Sequence, residues 1–507
     1  MPRYKDYDYR QSKILPVSFD RQILPGTFED SLTYLIEHEL DLSVFDGRYT
    51  NDEGGRPAYD PAILLKIIFL AYSRGITSSR KIAALCEENV LFMAISADTH
   101  PHFTTISDFV SSCPEEIGSI FEQVVLICDE LGLIGREMFV IDGCKMPSNA
   151  SKEWSGTRAD LKKKQKKING AIRRILKKHR ESDEKELDEG IRKREKRQLK
   201  TLRKASRKIR EFLAESEEKV GASGKPIQSN VTDNESAKMK TGHGVIQGYI
   251  GVAAVDSEHQ VVVHAEAHGQ PQEHELLKPS VEGIRETLNK EHSKKDPLKG
   301  AKVIADSGYH SRKNVEYLKE EKVDGYIADT GFRSRDPRFQ SAERHRGKDR
   351  VKLKRSFSVD DFHFEPKKRT VRCPAGHLMW LKCSRARIGR YLFLQFQAHK
   401  ADCEGCELRK NCLRTENQKT PRLVNIRVEK TGTRLLDQMR RKIDSVRGRH
   451  IYSHRISVVE PVFGNITSAL GIKRFSLRGK KKVNGQWKLM TMIHNITKIH
   501  RYGWSLV

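Results

Sequence analysis

Three acidic residues stand where chemistry is easiest to build. Asp142 closes the apolar run Phe139-Val140-Ile141 and precedes Gly143, and Asp306 closes Val303-Ile304-Ala305 and precedes Ser307-Gly308. A short β-favouring run that ends in a carboxylate places it at a strand end, and a small residue after it leaves room for a phosphate. The third, Glu460, lies in Val458-Val459-Glu460-Pro461-Val462-Phe463-Gly464 and is expected at the start of a helix. Breaking and remaking a phosphodiester needs an activated water or 3′-hydroxyl, a stabilised phosphorus and a leaving oxygen that is helped away. Two divalent cations about 3.5–4 Å apart supply all three functions, and hard carboxylate oxygens hold such ions. Asp142, Asp306 and Glu460 are therefore the expected ligands of two Mg²⁺ (or Mn²⁺) ions, provided that the fold brings them together.

A second group of residues has metal-ligand character. Cys373, Cys403, Cys406 and Cys412 combine a Cys-x-x-Cys pair with two more distant thiols, a set suited to tetrahedral Zn²⁺, with Cys383 or His377 able to replace one member. His243, His264, His268, His274 and His310 are scattered near the acidic segments but lack the H-E-x-x-H spacing of a metallohydrolase. Asp233 is a further acidic candidate, placed in a polar loop and ranked below the three. No G-x-x-x-x-G-K-[ST] phosphate loop is present, and transfer between like phosphodiester bonds needs no ATP.

Elements that could position these residues follow along the chain. Residues 1–134 carry helical periodicity, with helices expected near 61–73, 78–87 and 104–112; a helix-turn-helix there would offer Arg80 and Lys81 to DNA. Residues 135–157 open an α/β core. Residues 158–219 hold 24 Lys or Arg against 12 Asp or Glu with apolar residues at three-, four- and seven-residue steps, which predicts two long antiparallel helices, a charged arm spanning 158–222 with its turn between Glu181 and Glu189. The core resumes over 223–330 as a hairpin (248–255 and 260–267), a helix (273–289), a strand (301–305), a helix (313–321) and a strand (325–328), the order of a mixed sheet flanked by helices. About 150 residues separate Asp306 from Glu460, more than a connection needs, so 331–430 is expected to be an inserted zinc-binding subdomain, with 431–507 completing the core.

Composition narrows the partners. With 507 residues and a formal charge of +27, spread along the chain, a polyanion is implied, and nucleic acid fits better than a membrane. The longest apolar run, 62–72, contains Lys66 and is too short to span a bilayer, and Met1–Arg10 lacks a leader's apolar stretch. A cytoplasmic protein is expected.

Four segments together carry a resemblance: Tyr59-Asp60-Pro61 through Ser78-Ser79-Arg80-Lys81-Ile82, Ile141-Asp142-Gly143, Ala305-Asp306-Ser307-Gly308-Tyr309, and Arg455 through Gly464. With the later Lys473-Arg474-Phe475 and Arg478-Gly479 they cover nearly the whole chain, which resembles the DDE transposases of bacterial insertion sequences. The resemblance implies an RNase H-like catalytic domain behind a helical N-terminal domain. It also implies metal-dependent cleavage and strand transfer, with Asp142, Asp306 and Glu460 as the acidic triad. The substrate would be double-stranded DNA, both the element's terminal inverted repeats and the target, and two protein copies would pair the ends. Tyr452 and Arg455 match the basic and aromatic companions of the glutamate. Many relatives place a Lys seven residues after the Glu; Thr467 stands there here, so Lys473 or Arg474, with Arg478, would contact DNA instead. A nuclease that only hydrolyses DNA and a silent DNA-binding protein are the alternatives.

Overall fold

The computed structural model describes residues 16–503 apart from 50–53, 55–56, 182–188, 222–223, 243, 290–295, 340–356, 358, 367, 389–390, 414–417 and 428–430. The expected arm turn and His243 lie outside the described residues. The chain forms two compact units, one of residues 1–310, 317–327 and 450–507 and the other of 311–316 and 328–449.

The first unit begins with helices α1 (Phe28–Tyr34), α2 (Pro61–Ser73), α3 (Ser79–Glu88), α4 (Val90–Ile95), α5 (Phe103–Ser112) and α6 (Pro114–Glu130). Local chemistry sets their starts. Asp60 Oδ1 accepts from the Ala62 N–H at 2.7 Å with Pro61 in the first turn, and Asn89 Oδ1 accepts from Leu91 and Phe92, which starts α4 immediately after α3. The expected helices correspond to α2, α3 and α5; α4 is additional, because a capping Asn breaks what periodicity alone would continue.

Strand β1 (Met138–Pro147) leads to the short strand β2 (Ser155–Gly156), which pairs with β3 (Ser229–Asn230). Between them rise α7 (Arg158–Glu181) and α8 (Glu189–Glu215). They are antiparallel: Lys178 pairs with Glu195 near one end, Ser206 Oγ donates to Asn169 Oδ1 at 2.6 Å further along, and Arg158 reaches the carbonyl of Ser216 at the other. Leu161, Ile209, Leu213 and Val231 form a small core at the base, with Trp154 and Ile168 against it. The outer face stays charged because few apolar side chains remain to bury.

The central sheet is completed by β4 (Ala237–Thr241), β5 (Gly244–Asp256), β6 (Val262–His268), β7 (Lys302–Ala305) and β8 (Asp324–Ile327), with α9 (Leu277–Leu288) after β6 and α10 (Arg312–Glu320) after β7. Its order is β6-β5-β1-β7-β8. β5 is antiparallel to β1 and β6, whereas β7 and β8 run parallel to β1. β4 shares β5's outer edge with β6, pairing at 244–248 while β6 pairs at 250–255. This mixed α/β sheet is consistent with the RNase H-like expectation. The expected hairpin is present as β5 and β6.

Helix α15 (Val446–Gly464) precedes α16 (Lys480–Lys498), which is buried over most of its length from Val483 to Ile496. α16 packs against α2, α5, α6 and β6 at once. It also supplies what the edge strand lacks. Asn495 accepts from the Val262 N–H at 2.8 Å and donates to the Val262 carbonyl at 2.9 Å, and Asn484 accepts from the Ala267 N–H at 2.9 Å. An exposed strand edge is thereby covered by side-chain amides. Trp487, fully buried, donates its indole N–H to the Val252 carbonyl at 2.8 Å and lies flat over Gly251, where a Cβ would come within 2.8 Å of the ring.

The second unit holds α11 (Phe332–Arg335), a sheet of β9 (His363–Glu365), β10 (Thr370–Arg372), β11 (Leu378–Ile388), β12 (Tyr391–Gln397) and β13 (Leu423–Arg427) in the order β13-β12-β11-β10-β9, and helices α12 (Lys400–Glu404), α13 (Arg409–Cys412) and α14 (Thr431–Asp444). Val371, Met379, Phe396 and Val424 make its core, with Cys373, Cys403 and Cys412 packed against it. No described helix in either unit is long and apolar enough to cross a membrane.

Candidate active site

Two adjacent parallel strands bring the aspartates together. β1 and β7 pair from Met138↔Lys302 to Ile141↔Ala305, so Asp142 and Asp306 both follow directly on the last matched pair. β1 continues through Asp142 into its pairing with β5, opposite Ala253. β7 instead stops, and Asp306 caps a single 3-10 turn by accepting the Gly308 N–H at 2.6 Å.

The glycines beside the aspartates stand where a side chain would collide. A Cβ on Gly143 would lie 2.6 Å from Ile250 and 3.4 Å from Glu273 Oε1, and one on Gly308 would lie 2.4 Å from Glu273 Oε2 and 2.8 Å from Asp306 Oδ1. The room they leave is filled by a carboxylate that sequence reasoning passed over. Glu273 lies in the β6–α9 connection, just before the observed helix start at Leu277, whereas periodicity places it in the helix's first turn. Its neighbours Gln272, His274 and Glu275 are also polar, so no pattern in the sequence singles it out.

α15 contributes the remaining charges. Arg455, 8 % exposed, donates from Nη1 to Asp142 Oδ2 at 2.5 Å, and its Nη2 lies 3.8 Å from Glu460 Oε1, whose side chain is more than half exposed. Glu460 is in the last turns of α15, not at its start, because Pro461 is accommodated inside the helix. A proline there leaves the carbonyl four residues earlier without a donor. That carbonyl belongs to Ser457, and the Gln260 side-chain amide at the β5–β6 turn donates to it at 2.9 Å. The hairpin thus holds the helix where proline weakens it.

The electrostatics record the crowding. Burial pushes the Asp142 carboxyl up to about 6; Arg455 opposes the shift, while Asp306 and Glu460 add to it. Burial, then Asp306, pushes Glu273 up to about 7, opposed by Lys145 at 3.9 Å. The buried Tyr309 hydroxyl is raised well above its usual range by desolvation and by Glu273, Asp142 and Asp306. Carboxylate oxygens are the hard donors that divalent cations take, and Glu273 and Asp306 face each other over Gly308. Among the described residues, however, no three His, Cys, Asp or Glu side chains are gathered as they would be around a bound ion.

The other candidates fall elsewhere. Arg80, on α3, stacks over Phe103 at 4.8 Å, and Lys81 beside it is exposed. Tyr452 is half-buried on α15. Lys473 is exposed, whereas Arg474 and Arg478 reach back to the carbonyls of Ser148 and Asn149 beyond β1, at 3.3 and 2.7 Å. Asp233 is structural: it accepts the Tyr249 hydroxyl at 2.9 Å and the Gly479 N–H at 3.3 Å. Of the histidines, His274 bonds the Gly308 carbonyl at the site, while His268 pairs with Glu266 on β6. In the second unit Cys373, Cys403, Cys406, Cys412 and His377 line one cavity, which Cys383 does not reach. Burial raises the Cys412 thiol, and the other three thiols add to the shift.

Comparison with known families is consistent with this layout. Residues 17–112 match a model described as a transposase domain, and residues 219–373 and 372–500 match two models each described as a transposase DDE domain. No curated protein matches the chain.

The raised Glu273 carboxyl has a consequence for stability. A pKa above the unfolded value favours the metal-free fold at low pH, an advantage lost as pH rises through about 7. Asp306 and Asp142 disfavour its charge, while Lys145 and Arg455 favour it. Glu273→Gln is expected to leave stability in EDTA nearly unchanged at pH 4 and to raise it at pH 8 by on the order of 1–3 kcal/mol. Denaturant unfolding at the two pH values checks this, and an equal effect at both would contradict it.

Proposed function

The chain belongs to the DDE transposases of insertion elements, enzymes of metal-dependent DNA cleavage and strand transfer, and we propose that Asp142, Asp306 and Glu460 are its catalytic acids. The observation that carries this reading is the β1–β7 register, which sets Asp142 and Asp306 side by side while Arg455 links Asp142 to Glu460. The three carboxylates would hold two Mg²⁺ or Mn²⁺ ions, which when bound activate the attacking oxygen and stabilise the leaving one. Arg455 keeps Asp142 ionised and oriented in a pocket that otherwise favours its protonation. Gln260 and the carbonyl it caps keep the Glu460 segment against the hairpin. Asp142→Asn, Asp306→Asn and Glu460→Gln are each expected to lower cleavage of labelled element ends by at least about 10³-fold while DNA binding persists. Mg²⁺-dependent nicking retained by any one of them removes that residue from the assignment. Joining of a pre-cleaved 3′ end to target DNA separates strand transfer from simple hydrolysis.

The DNA partner has several candidate contacts. Arg80 and Lys81 in the helical region, Tyr452 on α15, and Lys473, Arg474 and Arg478 before α16 would meet the backbone or the terminal repeats, with a homodimer pairing two ends. On α8, Lys196, Lys200, Arg203, Lys204 and Arg207 line one groove with Leu199, and this favours the arm as a backbone-tracking clamp. Deleting 158–219 is expected to weaken binding to any duplex and to flatten the dependence of log K on log salt by about one unit for each phosphate that the arm neutralises. An unchanged slope would leave the arm a solvated helical hairpin.

For the second unit a structural zinc on Cys373, Cys403, Cys406 and Cys412 is favoured by their sharing one cavity and by the mutual electrostatic pressure on Cys412. One Zn²⁺ bound by the four sulfurs as thiolates, with loss of their protons, would offset the repulsion between them and stabilise a unit with a small core. Metal analysis is expected to return about one zinc per chain, lost in Cys403→Ala together with a lower melting temperature. Purified protein with no zinc overturns the site.

A further inference from the structure

Resting on the acidic-triad reading above, we propose that Glu273 is a fourth carboxylate of the metal centre, taking the divalent cation on the side of Asp306. Its side chain is only 13 % exposed, yet no described hydrogen bond reaches its carboxylate, and the nearest cation, Lys145, is 3.9 Å away. A carboxylate so nearly withdrawn from water is costly unless it is paired or binds a metal. Asp142 has Arg455 in direct contact, but Glu273 has no equivalent. Its two oxygens are held over the glycines that follow Asp142 and Asp306: Oε1 over Gly143 and Oε2 over Gly308, where Asp306 Oδ1 faces it across the space of a single methyl group. Any side chain at Gly308 would have to displace both acids. The loop geometry reinforces this placement, because His274, the next residue, is tied to the Gly308 carbonyl and the Leu276 N–H closes onto the Glu273 carbonyl at 2.9 Å. The connection before α9 is thus fastened to the turn that carries Asp306. An acid presented from this third element would give a bound divalent cation an oxygen donor that does not depend on α15.

The test is Mn²⁺ binding to the metal-free full-length protein without DNA, followed by electron paramagnetic resonance, in wild type, Glu273→Gln, Glu273→Asp and Asp306→Asn, with circular dichroism confirming that each is folded. Glu273→Gln is expected to weaken Mn²⁺ binding by about tenfold or more, and Glu273→Asp, which keeps the charge but withdraws it by one methylene, by less. Cleavage of labelled ends by Glu273→Gln should then recover in part as Mn²⁺ is raised. Unchanged Mn²⁺ affinity in Glu273→Gln alongside a loss in Asp306→Asn overturns the role of Glu273 and leaves the triad standing. Unchanged affinity in both overturns the triad reading as well.

Discussion

Like charges forced together in a medium that solvates them poorly are the constraint around which the first unit is arranged. Asp142, in the middle of β1, and Asp306, at the end of β7, follow the same matched pair with Glu273 nearby; Arg455 touches Asp142, whereas Lys145 stands 3.9 Å from Glu273. A fold built for stability alone would not bring these acids together, since Asp142 and Glu273 are each destabilised as anions by desolvation and by neighbouring acids. The raised carboxyl groups of Asp142 and Glu273 record that cost.

Much of the remaining architecture supports that strained corner. α16 closes the outer edge of β6 with Asn484 and Asn495 and clamps Trp487 over Gly251, so β5 and β6 have a rigid backing. The same hairpin projects Gln260, which mends the gap that Pro461 opens in α15 and also accepts from Lys498 of α16 at 3.1 Å. One residue at a turn therefore connects the helix bearing Arg455 and Glu460 to the helix that carries the core. Asp233 has a similar supporting task, joining Tyr249 of β5 to the start of α16. Its burial and its two partners give this acid a supporting task.

Features written locally were legible in the linear chain. β-favouring runs ending in acids announced the strands of Asp142 and Asp306; Asp60-Pro61 marked the start of α2; the three- and four-residue apolar steps through a highly charged stretch foretold the paired helices of the arm. These features depend on nearest neighbours, on hydrophobic period and on capping, all of which a linear reading contains. The spacing of Cys403 and Cys406 likewise pointed to a shared thiol pocket before any fold was known. Which acids face one another was settled by folding alone. Glu273 is one polar residue among several until β6 and α9 set its connection beside Gly308. Glu460-Pro461 reads as a helix start because the donor that lets α15 pass through a proline comes from Gln260, 197 residues away from the carbonyl it caps. The β1–β7 register, the edge-capping asparagines and the burial of Arg455 are likewise contacts between distant segments, whose energies exist only when both partners are in place.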